Sequence, residues 1–106
     1  MKVFKLQDMK RGWFVGDFPC ALQTKDCEVA IMQYKAGDSE KKHVHKIAPE
    51  LTVVVQGTIK MNGVEYTEGD IILMEPGEAT DFEALTDAID VVVKVPSVLG
   101  DKYFVE

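Results

Sequence analysis

Two histidines stand two positions apart, at His43 and His45, and Glu50 follows five positions later behind Pro49. No other histidine occurs in the chain. If 42–45 is a strand, both imidazoles share a face, because alternate strand residues point the same way. Pro49 ends that strand and aims the next one back across it, so two nitrogen donors and one carboxylate can meet at one point. Such a set suits a divalent transition metal (Zn, Fe, Mn or Ni), and three protein ligands leave coordination positions open for a small molecule. An isolated His-x-His is more often a chance surface pair, with the glutamate a solvated charge, so the surroundings must decide.

Those surroundings are built of short strands. Gly and Pro recur at close intervals, separated by runs rich in Val, Ile, Thr, Phe and Tyr, the punctuation of an all-β chain. Strands are expected over 3–8, 13–15, 27–34, 42–45, 51–56, 58–61, 64–66, 70–74, 81–84 and 89–95. Helix is confined to at most one turn around 83–88. Asn62-Gly63 is the pair that a two-residue type I′ turn demands, since both positions need positive φ, and it predicts a hairpin. So many short strands favour a sandwich or barrel. The charged run 38–42 reads as a solvated loop ahead of His43, and Lys42 and Lys46 fall at the parity opposite the histidines, toward solvent. Thr52, Val54 and Gln56 share the face of Glu50 and become candidate pocket walls, with Tyr34 a further wall on the preceding strand.

The spacing Gly37-x5-His43-x-His45-x4-Glu50-x6-Gly57 resembles the first cupin motif at every marked position. Gly69-Asp70-Ile71-Ile72-Leu73-Met74-Glu75-Pro76-Gly77 is similar to the start of the second, and the hairpin at Asn62-Gly63 fills the interval between them. The resemblance implies a jelly-roll barrel, the RmlC-like double-stranded β-helix of two packed antiparallel sheets, with a metal near one open end held by His43, His45 and Glu50. The second motif departs from the pattern. Its histidine, due eleven positions after Gly69, falls on Thr80, beside Asp81. Asp81 swinging inward as a carboxylate ligand, a water in the vacancy, and a site of weakened affinity all remain open at this point. For Asp81 and Thr80 the plainer roles are turn capping and local backbone bonding.

The balance of the chain narrows the function. At 106 residues it holds one hydrophobic core, so 1–106 reads as a single domain. Twelve basic against eighteen acidic residues give a net charge of −6, the wrong sign for a phosphate backbone, and nucleic acid is not expected. No apolar run approaches the roughly 20 residues of a membrane helix. Met1-Lys2-Val3-Phe4-Lys5 carries charge where a signal peptide needs an apolar stretch, so a cytoplasmic protein is expected, with Cys20 and Cys27 as free thiols. Trp13, Phe14 and Phe18 suit a core or an interface, and small cupins of this kind commonly dimerise. The leading expectation is a metal-binding cupin acting on or binding a small polar molecule, a sugar or keto acid, with isomerase- or dioxygenase-like chemistry. The alternative is a non-catalytic binding or sensing module with a degenerate metal site. No nucleophile or acid–base dyad separates them, and no catalytic residue is assigned.

Overall fold

A computed structural model describes residues 1–105. Eleven strands follow two short 3-10 turns, Leu6–Asp8 and Lys10–Gly12. They are β1 Trp13–Gly16, β2 Leu22–Gln23, β3 Glu28–Tyr34, β4 Ser39–Val44, β5 Glu50–Gln56, β6 Ile59–Met61, β7 Val64–Tyr66, β8 Ile71–Met74, β9 Ala79–Ala84, β10 Ala88–Lys94 and β11 Tyr103–Phe104. One sheet has the order β2-β1-β3-β10-β5-β8 and the other β11-β4-β9-β6-β7. All pairings are antiparallel except β1 with β2. This is the double-stranded β-helix that the two motifs imply.

Alternation sorts the side chains. Along β10 the inward series is Ala88, Asp90 and Val92, all buried, and along β5 it is Thr52 and Val54. Val54, Ile59, Met61, Met74, Phe82, Ala84 and Ala88 pack into one apolar cluster. Burying one large aliphatic or aromatic side chain of this kind stabilises the fold by about 1.5–3 kcal/mol.

The expected hairpin forms: β6 and β7 pair with Met61 opposite Val64, and Asn62 and Gly63 take φ of 49° and 80°. Gly57 has φ 86°, and a Cβ there would sit 2.3 Å from the Asp87 carbonyl oxygen. Only glycine lets β5 turn into β6 so close to that backbone.

Three expectations need correction. The 3–8 segment is no strand: it pairs with no sheet edge, and N–H groups of Asp8 and Met9 instead bond the carbonyls of Lys5 and Leu6 at 3.0 Å. No helical turn forms at 83–88, because β9 runs through Ala84 and the N–H of Leu85 donates to the Thr58 carbonyl at 3.0 Å. The charged run before His43 is strand rather than loop, since β4 starts at Ser39 and pairs with β9. Beyond the expected strands, β11 adds to the free edge of β4, with Phe104 opposite His43.

Candidate functional site

His43 lies near the end of β4 and His45 just beyond it, and they are 6% and 4% exposed. Their rings meet edge to face, with centroids 5.3 Å apart. The Nδ1 of His43 lies 3.0 Å from the Lys41 carbonyl oxygen, and the Nδ1 of His45 is bonded to the Asp101 carbonyl oxygen. A carbonyl only accepts, so each Nδ1 carries a proton and each Nε2 is directed to other partners. Glu50, the first residue of β5, brings Oε2 to 2.7 Å from the Nε2 of His45.

This contact sets the charges. The Glu50 hydrogen bond raises the His45 pKa above its ordinary value, against the opposing effect of burial. For Glu50, burial pushes upward, but the His45 bond and the charges of Lys94, His45 and His43 outweigh it, so its pKa is lowered. Each shift favours the charged form of its group, imidazolium for His45 and carboxylate for Glu50.

Asp101 fastens the loop between the histidines and Glu50. Its carboxylate accepts from the N–H groups of Lys46, Ile47 and Ala48 at 2.9, 3.1 and 2.9 Å, while its own carbonyl holds His45. Burial acts to raise its pKa, and the three backbone donors lower it more.

Around these groups lies an open pocket of about 120 Å³, bordered by Trp13, Met32 and Val92 and by the cationic side chains Arg11, Lys94 and Lys102. Below it a smaller space of about 30 Å³ runs inward past Thr52 and Thr80 to Tyr34 and Asp90. Arg11 and Lys102 approach the Glu40 carboxylate at 3.7 and 3.9 Å.

The structure thus brings His43, His45 and Glu50 together, with Tyr34, Thr52 and Thr80 on the walls. Three expectations fail. Asp81 points outward on β9, where its Oδ1 accepts from the Asn62 N–H at 2.8 Å, so it does not reach the site. Thr80 takes the inward place opposite His43, its hydroxyl donating to the Asp81 carbonyl at 2.7 Å. Val54 is sealed into the apolar cluster, and Gln56 is exposed at the far end of β5; neither lines the pocket.

Sequence reasoning missed Glu40, Asp90 and Asp101. Glu40 sits three positions before His43, the wrong parity for a shared face. A bulge corrects it: Glu40 pairs with Phe82 and His43 with Thr80, so three steps on β4 match two on β9. Asp90 did leave a signal, a lone charge at inward parity within Ile89-Asp90-Val91-Val92-Val93. Asp101 left none, for its role depends on contacts across more than fifty positions of chain.

Among the described residues, no three His, Cys, Asp or Glu side chains stand ready-arranged around a metal ion; His45 and Glu50 are bonded to each other instead. The donor chemistry nonetheless fits one. Backbone carbonyls that hold Nδ1–H fix the tautomer in which imidazole ligates through Nε2, and a carboxylate completes a set with open positions.

No family model and no curated protein matches the sequence. Solved structures do. An uncharacterised conserved protein with a double-stranded β-helix domain from Klebsiella pneumoniae is 25% identical, covering 80% of this chain and 75% of its own, at a TM-score of 0.71. An RmlC-like cupin from Desulfovibrio desulfuricans is 20% identical over 92% of this chain and 99% of its own, at 0.66. Bacillus subtilis oxalate decarboxylase, a protein with Mn(II) centres, is 18% identical over 77% of this chain and 25% of its own, at 0.64. Two sheets wound as a double-stranded β-helix, the motif spacing and these likenesses agree: the chain has the double-stranded β-helix fold of the cupins.

Proposed function

We propose that the Nε2 atoms of His43 and His45 and the carboxylate of Glu50 hold a divalent transition metal, and that a small polar molecule binds beside it. The observation that carries this reading is the pair of Nδ1–carbonyl bonds, which present both Nε2 atoms next to a buried carboxylate. Bound there, the metal would act as a Lewis acid toward a carbonyl or hydroxyl oxygen of the small molecule. The chain's own residues do the rest. Trp13, Met32 and Val92 exclude water from one wall. Arg11, Lys94 and Lys102 border the pocket together with Glu40, which approaches Arg11 and Lys102, and Glu50, so the lining cations outnumber the carboxylates and favour an anionic group there, against the overall charge of −6. His45 and Glu50, now bonded to each other, would have to part for both to hold a metal, and any proton on the His45 Nε2 would be released to solvent. The oxalate decarboxylase likeness supports a metal on this fold, and isomerase- or dioxygenase-like chemistry on a sugar or keto acid is the class proposed. Metal content of protein purified without chelator checks the site. About one ion per chain is expected, lost in the His43→Ala/His45→Ala variant; equal content in both would dismiss it.

One observation favours a second reading, the non-catalytic binding module. Thr80 occupies the fourth corner and commits its hydroxyl to a backbone carbonyl, leaving the metal with three protein ligands. Turnover of any sugar or keto acid by metal-loaded protein decides against it.

The proposal extends to a homodimer. On the outer face of the six-stranded sheet, Leu51 and Val53 of β5 pair with Leu73 and Ile71 of β8 on one side and Val93 and Val91 of β10 on the other. Ile71 and Leu73 are 66% and 52% exposed. A continuous aliphatic face is unusual on a monomer, and a twofold axis would bring such a face against its own copy. Light scattering should give a dimer that becomes monomeric in Ile71→Lys/Leu73→Lys; a monomeric parent protein would end this reading.

A further inference from the structure

Asp90 is 1% exposed, and among the described residues neither of its carboxylate oxygens closes a hydrogen bond of ordinary geometry, although the Tyr34 side chain is near enough to act on it as a hydrogen-bonding partner. It sits inward on β10, opposite Met32 and Val54, where the apolar cluster meets the pocket. A buried polar group without a partner costs on the order of 1–3 kcal/mol, and more when charged. The chain keeps one in its interior, at the floor of the space of about 30 Å³ that opens upward to Thr52, Glu50 and His43. That space admits a single water-sized group.

Burial, with the charges of Glu50 and Glu40, pushes the Asp90 pKa up to about 7, and Tyr34 acts in the opposite direction. The floor therefore resists a further negative charge, while the open pocket above it is bordered by three cations, Arg11, Lys94 and Lys102, against the two carboxylates Glu40 and Glu50, with Glu40 approaching Arg11 and Lys102. A ligand matched to both ends carries its anion outward and a neutral hydrogen-bonding group inward. A hydroxyl fits, because it donates and accepts.

We propose that Asp90 is a ligand-binding residue that takes a hydroxyl group at the floor of the pocket, and that the ligand is a hydroxy acid whose carboxylate faces Arg11, Lys94 and Lys102. The inference rests on the metal-pocket reading for its upper half and names the substrate class of that site. Tyr34, on the wall beside Asp90, borders the same hydroxyl position.

The test compares metal-supplemented protein with pairs of probes: hydroxy acids of two to six carbons, sugar acids included, each against the acid lacking the hydroxyl. Binding is read by titration calorimetry, and metal content is measured on the same samples. At least one hydroxy acid should bind about tenfold or more tighter than its partner, since a site built for a hydroxyl penalises the analogue that leaves its polar group unpaired. Asp90→Leu should abolish that preference with metal content unchanged, and its ligand-free unfolding temperature should equal or exceed that of the parent. Asp90→Asn, with the same shape, should weaken the preference and guards against a Leu variant that does not fold. No preference in any pair, a preference undiminished in Asp90→Asn, or a lowered unfolding temperature in both variants would overturn the proposal; the last would mean that a buried water alone satisfies the carboxyl as part of the fold. A preference dependent on Asp90 in protein that takes up no metal would retain Asp90 and remove the metal reading.

Discussion

The two ends of the barrel interior are lined from the same strands by different chemistry. Reading inward positions from the pocket to the opposite end, β5 gives Glu50, Thr52 and Val54, β9 gives Thr80, Phe82 and Ala84, and β10 gives Lys94, Val92, Asp90 and Ala88. Alternation determines only that a side chain enters the barrel. Position along the strand then determines whether it packs or binds. The apolar end holds the clustered Ile59, Phe82 and Ala84, while the polar end holds buried imidazoles and carboxylates that are costly to desolvate and weak stabilisers.

The largest expected effect breaks the apolar end. Phe82 packs in the cluster and against the Tyr34 ring, with centroids 4.6 Å apart, so Phe82→Ala should lose about 3–5 kcal/mol in denaturant unfolding. Loss of less than about 1 kcal/mol would show that this end is not where the stability resides.

Asp90 marks the boundary, and its titration sharpens the contrast. An unfolded aspartate ionises near 3.9, whereas this one has its pKa raised to about 7. Between those values the native state binds the extra proton, so this group's contribution is fully present below about pH 4 and is lost as pH rises through about 7, a fall of about 2–4 kcal/mol. Asp90→Asn should flatten that fall. An unaltered pH profile would mean that the carboxyl titrates normally.

At the polar end the effect on stability is smaller and the effect on binding larger. Asp101→Ala removes the acceptor of three backbone N–H groups and should cost about 1–3 kcal/mol. On the metal reading, the loosened loop should weaken metal affinity about 10–100-fold. Unchanged affinity would show that the loop holds its shape without this anchor.

These contrasts also explain what was legible in the sequence. Gly and Pro punctuation with β-branched runs revealed most strands, and the positive-φ need of Asn62-Gly63 located the hairpin. His43, His45 and Glu50 were readable from their spacing, although His45 lies just beyond β4 and the loop that carries the chain to Glu50 is held by Asp101. Glu40 was hidden by a bulge, which reverses parity without a residue type to announce it. The place of Asp81 stayed open in the sequence because alternation alone does not say which of Thr80 and Asp81 enters the barrel; β9 buries Thr80 and exposes Asp81. The short β2 and β11 were missed because two residues carry no periodicity, and they exist only through the edges they join.

The latch made by Asp101 has a temporal consequence. A ribosome delivers His45 56 positions before the carbonyl that orients its ring, and Glu50 also emerges well before that carbonyl. A nascent chain therefore carries all three donors while one imidazole still spins freely. On the metal reading, capture of an ion with the correct ring nitrogen would await the later segment, and maturation of the site would be coupled to closure of the barrel edge rather than to synthesis of the three side chains.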